Sequence, residues 1–458
     1  MTGAEARIVS PPGPVEADAP PGVLRLASDA SYPPAGQGWA MVAVLFVVYI
    51  TAQLDRNVFT LLAEHIRTDM GLTDVQLSLL IGPAFAAAYA LGGMPLGWAL
   101  DRYSRRRVIW GAVSLWSVGT ISCGLSRALP QMFAARTLIG FGESVMVPAN
   151  QSVLADMFPR EKLPFPLAVY SVGATVGMGA SLGIGGLMTG IVPPGAIFDL
   201  PLIGAIRGWQ AIFVMIGLPG LLAALLVYLL PEPRRHGAVP AGATGFADYW
   251  RLIRANLRFF VSLHLAGVLV TLVIQSFIAW TPIFFMRNHR WPVEQVGLWL
   301  GTAMALGPSI GLPLHGLLAG RLERSGFRDG SLRYLVLAVI AATPLLILGG
   351  LTTDPWLGLV LLCLGQAALI AYVPLMPACL MAMVPGTMRG KAAACLQMIS
   401  AGAGMVLGPT IIATTSGMLG GGLHLGEALA ICAAIGLPLA ALLYILALRP
   451  LRDGAQPA

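Results

Sequence analysis

Two short stretches carry ionisable side chains where so apolar a chain should hold none. One runs Arg136-Thr-Leu-Ile-Gly-Phe-Gly-Glu143 and the other is Leu54-Asp55-Arg56. Both lie inside segments long and apolar enough to cross a bilayer, where a charge costs about 2.5 kcal/mol or more on insertion scales. Seven residues span nearly two helical turns, so Arg136 and Glu143 share a face at about 10 Å separation. The chemistry that fits is a proton or substrate relay. Carboxylates would take up and release protons beside an arginine that stays charged, and movement of Arg136 would tune how tightly they hold them. The other reading is a buried structural ion pair that fixes helix packing. The two overlap, since a transporter's gating pairs are also structural.

Membrane helices must position these residues. Of the 458 residues 57% are hydrophobic and only 11% charged, against about 25% charged in soluble domains, which makes this an all-α polytopic membrane protein. The five cysteines all fall in apolar segments and read as small core hydrophobes, without a disulfide or metal framework. The net charge of +7 is no nucleic-acid signal, because the basic residues sit in loops. No paired-histidine metal motif, Gly-x-Ser-x-Gly elbow or phosphate loop appears, so an enzyme is not expected.

Residues 1–38 are rich in proline with no apolar run and read as a disordered cytoplasmic tail. The apolar stretch starting near Trp39 has no small-residue cleavage pattern after it, so it reads as the first span and not as a signal peptide. Twelve spans are expected near 39–63, 73–100, 108–127, 130–157, 163–190, 209–230, 260–286, 293–320, 333–351, 355–384, 390–416 and 425–448. Arginines crowd one side, at 102, 105–107, 234–235, 251, 254 and 258, while the other holds Arg67, Arg127, Arg207, Arg287 and Arg290. That bias places both termini in the cytoplasm of a multi-pass cell (inner) membrane protein, with 449–458 as a second tail.

The long connection at 231–259 divides the chain into six-span bundles at 39–230 and 260–448. Within it, Arg251, Arg254 and Arg258 recur at helical spacing, with Trp250, Ile253 and Leu257 on a neighbouring face. The pattern fits a helix along the inner membrane surface or an ordinary solvated loop helix. The halves echo each other: Gly97-Trp-Ala-Leu-Asp-Arg102 has a counterpart in Gly316-Leu-Leu-Ala-Gly-Arg321, and Pro148 and Pro159 are mirrored by Pro374 and Pro385. Parallel six-helix halves around a central loop are the architecture of a rocker-switch secondary transporter working by alternating access.

Gly97-Trp-Ala-Leu-Asp101-Arg102-Tyr-Ser-Arg105-Arg106-Arg107 resembles the loop motif of the major facilitator superfamily, departing at Ser104 where glycine is usual. In such a motif Gly97 lets helices approach closely, while Asp101 and the arginines lock the inner helix ends in one state. The resemblance implies that Asp101 faces the start of span eleven near Arg389 and Gly390. Asp156, ending span four, is a candidate acceptor for an arginine; a plain positive-inside anchor is the other reading. Asp55-Arg56, Trp116-Ser117, Arg136-xxx-Gly140-x-Gly142-Glu143-Ser144, Ala155-Asp-Met-Phe158 and Ala279-Trp-Thr-Pro282 look like the spinster branch of that superfamily. The resemblance implies a sphingolipid or lysophospholipid substrate and protons as the coupling ion, with no other cofactor. Span five lacks the Gly-Pro pair of antiporters in the wider superfamily, and a Gly408-Pro409 stands in span eleven instead, which leaves direction open.

From the rise of about 1.5 Å per residue, Asp55 lies about 24 Å from the inner surface, Arg136 about 9 Å below the outer one and Glu143 about 20 Å below it. Asp55 and Glu143 are therefore expected to compete for Arg136, while Arg56 is either a second partner or snorkels outward. Arg136, Glu143, Asn150, Gln151, Gln275 and Trp280 are the candidate substrate contacts, with Gln366 and Gln397 as further polar cavity groups. Each amide alone is equally readable as an interhelical hydrogen bond. Phe277, Trp280, Phe284 and Met286 could form an apolar wall for a chain or face lipid. His264, His315 and His424 show no partner pattern and read as structural or interfacial. The expected partners are an amphipathic lipid, or alternatively a small organic anion or drug, together with protons and membrane lipids, acting on a monomer.

Overall fold

A computed structural model describes residues 32–159, 162–200, 204–232, 246–327, 329–385 and 388–454. The first half comprises α1 (Ala35–Asp69), α2 (Asp74–Ile81), α3 (Pro83–Arg102), α4 (Arg105–Leu125), α5 (Leu129–Glu143), α6 (Met146–Met157), α7 (Pro164–Ile191) and α8 (Gly208–Leu229). After α9 (Phe246–Ala255) the second half follows as α10 (Leu257–Asn288), α11 (Val293–Arg324), α12 (Gly330–Leu351), α13 (Pro355–Leu369), α14 (Tyr372–Met383), α15 (Arg389–Leu396), α16 (Ala403–Met418) and α17 (Leu425–Gly454). Among the described residues eleven helical segments are long and apolar enough to cross a membrane, and the broken pair α5–α6 supplies the twelfth crossing.

The breaks follow from proline and repeat between the halves. Pro148 and Pro374 have no N–H to give the carbonyls four residues back, Ser144 and Ile370, and the chain leaves regular helix at those two places. Span two breaks at Gly82, just before Pro83, and span eleven carries a π-helical turn over Gln397–Gly402. Such turns are frequent at functional positions.

Packing obeys the same pseudo-symmetry. In the first half α1 packs on α7 and α8, and α4 on α8 and α5; in the second, α10 packs on α16 and α17, and α12 on α17 and α13. The halves meet along α7–α11 and along α2–α16. The span-five glycines find their partners here. A methyl group on Gly179 would overlap Gly301 and Ala305, and one on Gly297 would stand 2.6 Å from the Leu182 carbonyl. Without a hydrophobic force between helices in lipid, such backbone contact is what draws them together.

Several expectations shift in detail. A two-stranded antiparallel hairpin, β1 (Ile197–Leu200) and β2 (Gly204–Arg207), joins spans five and six, and no strand was read from the sequence. Its base is tied down by Arg207 to Asp69 at 2.6 Å. Helix α1 begins at Ala35, inside the stretch expected to be tail, and the remainder of that tail, 1–31, lies outside the described residues. The other expected tail begins as helix: α17 continues to Gly454, and Arg452 reaches Asp329 at 3.2 Å.

The glycines of the Arg136–Glu143 segment set its place. A methyl on Gly140 would overlap the Phe85 carbonyl of α3, and one on Gly142 would stand 2.7 Å from the Ala112 carbonyl of α4. Overpacking of this kind costs about 1–3 kcal/mol. Gly140→Val is therefore expected to lower the melting temperature of purified protein clearly, whereas Gly93→Ala, with nothing within 4 Å of its added methyl, should leave it unchanged. Equal melting temperatures for both variants would contradict this packing.

Candidate functional site

Asp55, Arg56, Arg136 and Glu143 converge inside the first half, but their pairing differs from the sequence expectation. Glu143 accepts a hydrogen bond from Arg56, Nη2 to Oε2 at 2.5 Å, and its other oxygen has no partner. Arg136 stands within ion-pair distance of no carboxylate among the described residues. It donates from Nε to the Leu80 carbonyl at 3.2 Å, beside the helix break at Gly82, and its Nη1 has no partner. Arg56, left open between two readings, is thus the partner of Glu143.

Aromatic rings explain the exchange. The Arg136 guanidinium lies 4.3 Å from the centre of the Phe59 ring and 5.2 Å from that of Phe85. Arg56 lies 4.5 Å from the same Phe85 ring and 5.5 Å from Tyr89. Phe85 thus serves both cations, and each desolvated contact of this kind is worth about 0.5–2 kcal/mol. Sequence spacing on one helix could not show it, because the ring comes from span two. Asp55 is 2% exposed and its Oδ1 has no hydrogen-bond partner. Asp55 can therefore exchange a proton without breaking an ion pair, whereas Glu143 can do so only by loosening Arg56.

A cavity of about 570 Å³ lies between the halves, bordered by spans one, four, five, seven, eight and ten. On α7 its lining runs from Leu167 to Met178 and on α11 from Leu300 to Leu312, so it lies on the basic-rich side of the Gly179–Gly301 contact. Its wall from the second half is aliphatic, including Ile274, Ile278, Met304 and Leu362, and no charged side chain lines it among the described residues. Tyr49 and Tyr170 stack at 4.9 Å on the first-half side.

Of the expected substrate contacts, Asn150 lines this cavity, as does Gln366. Arg136 is 1% exposed and Glu143 1%, and neither lines it. Trp280 is a correction: it is fully buried and donates to the Pro409 carbonyl at 2.9 Å, joining α10 to α16. Phe277 and Phe284 are likewise buried in protein, so they form no wall for a chain and face no lipid. Gln275 follows Ile274 on α10 and is half-buried outside the lining, and Gln397 sits in the exposed π turn. The side chain of Gln151 lies outside the described residues.

At the basic end, Arg105 pairs with Asp156, its Nη1 also donating to the Ser152 carbonyl at 3.3 Å. Ser104, the departure from glycine, caps α4 through Arg107 N and bonds Glu232, which also accepts from Arg105 N at 2.7 Å. Arg106 donates to the Leu230 carbonyl at 3.3 Å, and Arg102 lies over Trp98. The side chain of Asp101, and with it the expected contact to Arg389 and Gly390, lies outside the described residues. No described atom stands within 4 Å of a methyl on Gly97, so the close approach expected there is not made in this state. On α3 the close approach is made instead at Gly92, against Phe141 and Ser144.

The opposite end holds a cluster the sequence reading missed. Arg287 of α10 bonds Glu64 of α1 at 2.6 Å and Asp74 of α2 at 2.8 Å, with Arg67 adding 2.7 Å to Glu64. This network crosses between the halves and shuts that end. The signal was available as two acids and two arginines at the ends of three spans, but nothing in one sequence says which ends meet.

Two bundles that cross at α7–α11 and α2–α16, tied together at one end by the Arg287 network and hollow toward the other, have the architecture of a membrane transporter. The profile of the Major Facilitator Superfamily matches residues 45–409, and the chain belongs to that superfamily. A bacterial homologue of the human lysosomal transporter Spinster, solved inward-facing and unoccupied, superposes with a TM-score of 0.79 at 25% identity, covering 93% of this chain and all of that one. Its occupied counterpart gives 0.76 at 26%, over 91% and 98%. The spinster likeness seen in the sequence is thus matched by similarity to these two structures. An MFS-type efflux pump of Mycolicibacterium smegmatis is 28% identical over 90% of this chain and 92% of its own length. A probable galactarate/D-glucarate transporter of Bacillus subtilis is 25% identical over 65% and 69%.

Removing one partner of a buried pair strands the other charge, at a cost of about 3–5 kcal/mol. Arg56→Met is expected to destabilise the protein more at alkaline than at acid pH, because a protonated Glu143 leaves no charge to strand. Adding Glu143→Gln should restore most of the loss. Thermal unfolding across pH checks both, and a pH-independent loss without rescue would contradict the pairing.

Proposed function

We propose that this transporter is proton-coupled and moves an amphipathic, lipid-like molecule of the lysophospholipid or sphingolipid class through the inner membrane, acting as a monomer with both termini in the cytoplasm. The observation that carries the reading is the separation of two environments. Buried Asp55, Arg136 and Glu143 sit together with half-buried Arg56 in the first half, while the cavity beside them has no charged side chain among its described lining and a largely apolar wall from the second half. An acyl chain fits such a wall, and about 570 Å³ falls within the usual 300–1,000 Å³ of small-molecule sites.

Coupling works through a choice of partner. A proton on Glu143 releases Arg56, and a proton on Asp55 removes a negative charge beside Arg136. Either event changes which helices of the first half are held together, and the halves re-pack when the Arg287 clamp opens. Protons are the one coupling species, with no further cofactor. The small-anion reading rests on sugar-acid relatives such as the Bacillus subtilis transporter, but the cavity lining offers no cation for such a solute.

In liposomes, a pH gradient should accelerate movement of a lysophospholipid by the wild-type protein. Asp55→Asn and Glu143→Gln should each reduce gradient-driven movement to background while leaving substrate exchange without a gradient intact. Undiminished gradient stimulation in both variants would sink the coupling. Transport of a sugar acid in place of the lysolipid would favour the anion reading.

A further inference from the structure

The connection between the halves turns a corner at the basic-rich end. Helix α9 runs Phe246–Ala255, the chain leaves helical geometry at Asn256 (φ −124°, ψ 36°), and α10 starts at Leu257. Ile253 turns toward the protein with Leu252 and the fully buried Tyr249, whose ring packs edge-on to Phe260. Through this face α9 rests on α10 and also touches α15, the start of span eleven. Trp250 and Leu257 stay exposed, as do Arg251, Arg254 and Arg258.

Two observations say what covers the exposed face. The first is continuity with the bilayer. Leu257 heads an exposed stripe that continues through Val261 and Leu265, each about one turn further along the spanning helix α10. Residues four apart share a helix face, and an exposed apolar face on a spanning helix meets lipid. Arg258 stands beside the first member of that stripe and Arg254 three residues before it, so both lie where acyl chains give way to headgroups. The second observation is charge. Arg251 is spent on Asp248, but Arg254 and Arg258 stand within ion-pair distance of no carboxylate among the described residues. The Arg254 guanidinium lies instead 5.5 Å from the centre of the Trp250 ring. The water–lipid boundary favours an exposed indole with basic side chains beside it, whereas a helix in water gains nothing by exposing the indole.

We propose that the corner of α9 and α10 is a docking surface for the headgroups of anionic phospholipids in the leaflet at the basic-rich end. Arg254 and Arg258 bond the phosphate, Trp250 lies at headgroup depth, and Leu257, Val261 and Leu265 meet the acyl chain. Arginine keeps its charge and makes charge-assisted hydrogen bonds to phosphate oxygens. None of these residues lines the cavity between the halves, so the surface is separate from the substrate path and does not depend on the transport reading. Because α9 touches both α10 and α15, a lipid held there fastens the ends of spans seven and eleven to one another.

The test titrates full-length protein in a neutral detergent with phosphatidylglycerol or with phosphatidylcholine of the same acyl chains, and reads dissociation constants by native mass spectrometry. The wild type should bind phosphatidylglycerol at least about fivefold more tightly, the factor expected of one arginine near an anionic surface. Arg254→Gln/Arg258→Gln should abolish the preference and leave phosphatidylcholine affinity unchanged, while Arg254→Lys/Arg258→Lys, which keeps the charge, should retain most of it. Arg321→Gln/Arg324→Gln removes two other exposed arginines at the end of α11 and should retain the preference in full. Equal affinities in the wild type, or a preference kept by Arg254→Gln/Arg258→Gln, would overturn the docking surface. So would an equal loss in Arg321→Gln/Arg324→Gln, which would mark a diffuse attraction to the whole basic end.

Discussion

A charge inside a bilayer must be met by another charge, by aromatic faces or by a proton, and the first half of this transporter uses all three. Glu143 has Arg56, Arg136 has Phe59 and the shared ring of Phe85, and Asp55 keeps an oxygen without a protein partner. The rest of the half follows from holding these groups in place. Gly140 and Gly142 bring span four against spans two and three, and the break before Pro83 leaves the Leu80 carbonyl to receive Arg136. The charges therefore sit at joints between helices, where the proposed coupling needs them.

The second half is built in another way. Its bonds across α10 run from side chain to backbone: Thr271 to the Ser400 carbonyl, Ser276 to that of Gly408 and Trp280 to that of Pro409. All three acceptors lie in span eleven, where the π turn and Pro409 loosen the regular ladder. Hydrogen bonds of this type are indifferent to pH. The division of labour is physical: a titratable half beside a half that presents an aliphatic wall. The two touch at glycine contacts and at the Arg287 network.

The bundle architecture was legible because a crossing needs about 20 apolar residues and charges within spans are rare. The repeat of Pro148 and Pro374 showed the two halves echoing each other, but that both prolines mark helix breaks is seen only in the structure. Pairings were less legible. Arg136 and Glu143 share a face of one helix, which suggested a pair, yet partner choice was decided by Arg56 and Phe85 from other spans. Trp280 looked like a substrate contact because indoles often are, but Pro409 leaves its N–H a carbonyl to bond. Glu64 and Asp74 were passed over because charged residues at span ends are ordinary, and only tertiary proximity to Arg287 makes them a clamp. The cavity's aliphatic lining comes from α10, α11 and α13, whose residues resemble any other lipid-facing side chains in sequence.

The proposed coupling links substrate binding to protonation of the Arg56, Glu143 and Asp55 cluster. The most direct check is proton exchange on binding, followed by a pH-indicator dye with purified protein in weakly buffered solution. Substrate addition should release or take up protons in the wild type, and the double variant Asp55→Asn/Glu143→Gln should bind with no proton signal. Substrate binding by the wild type without any proton exchange across the pH range would contradict the account.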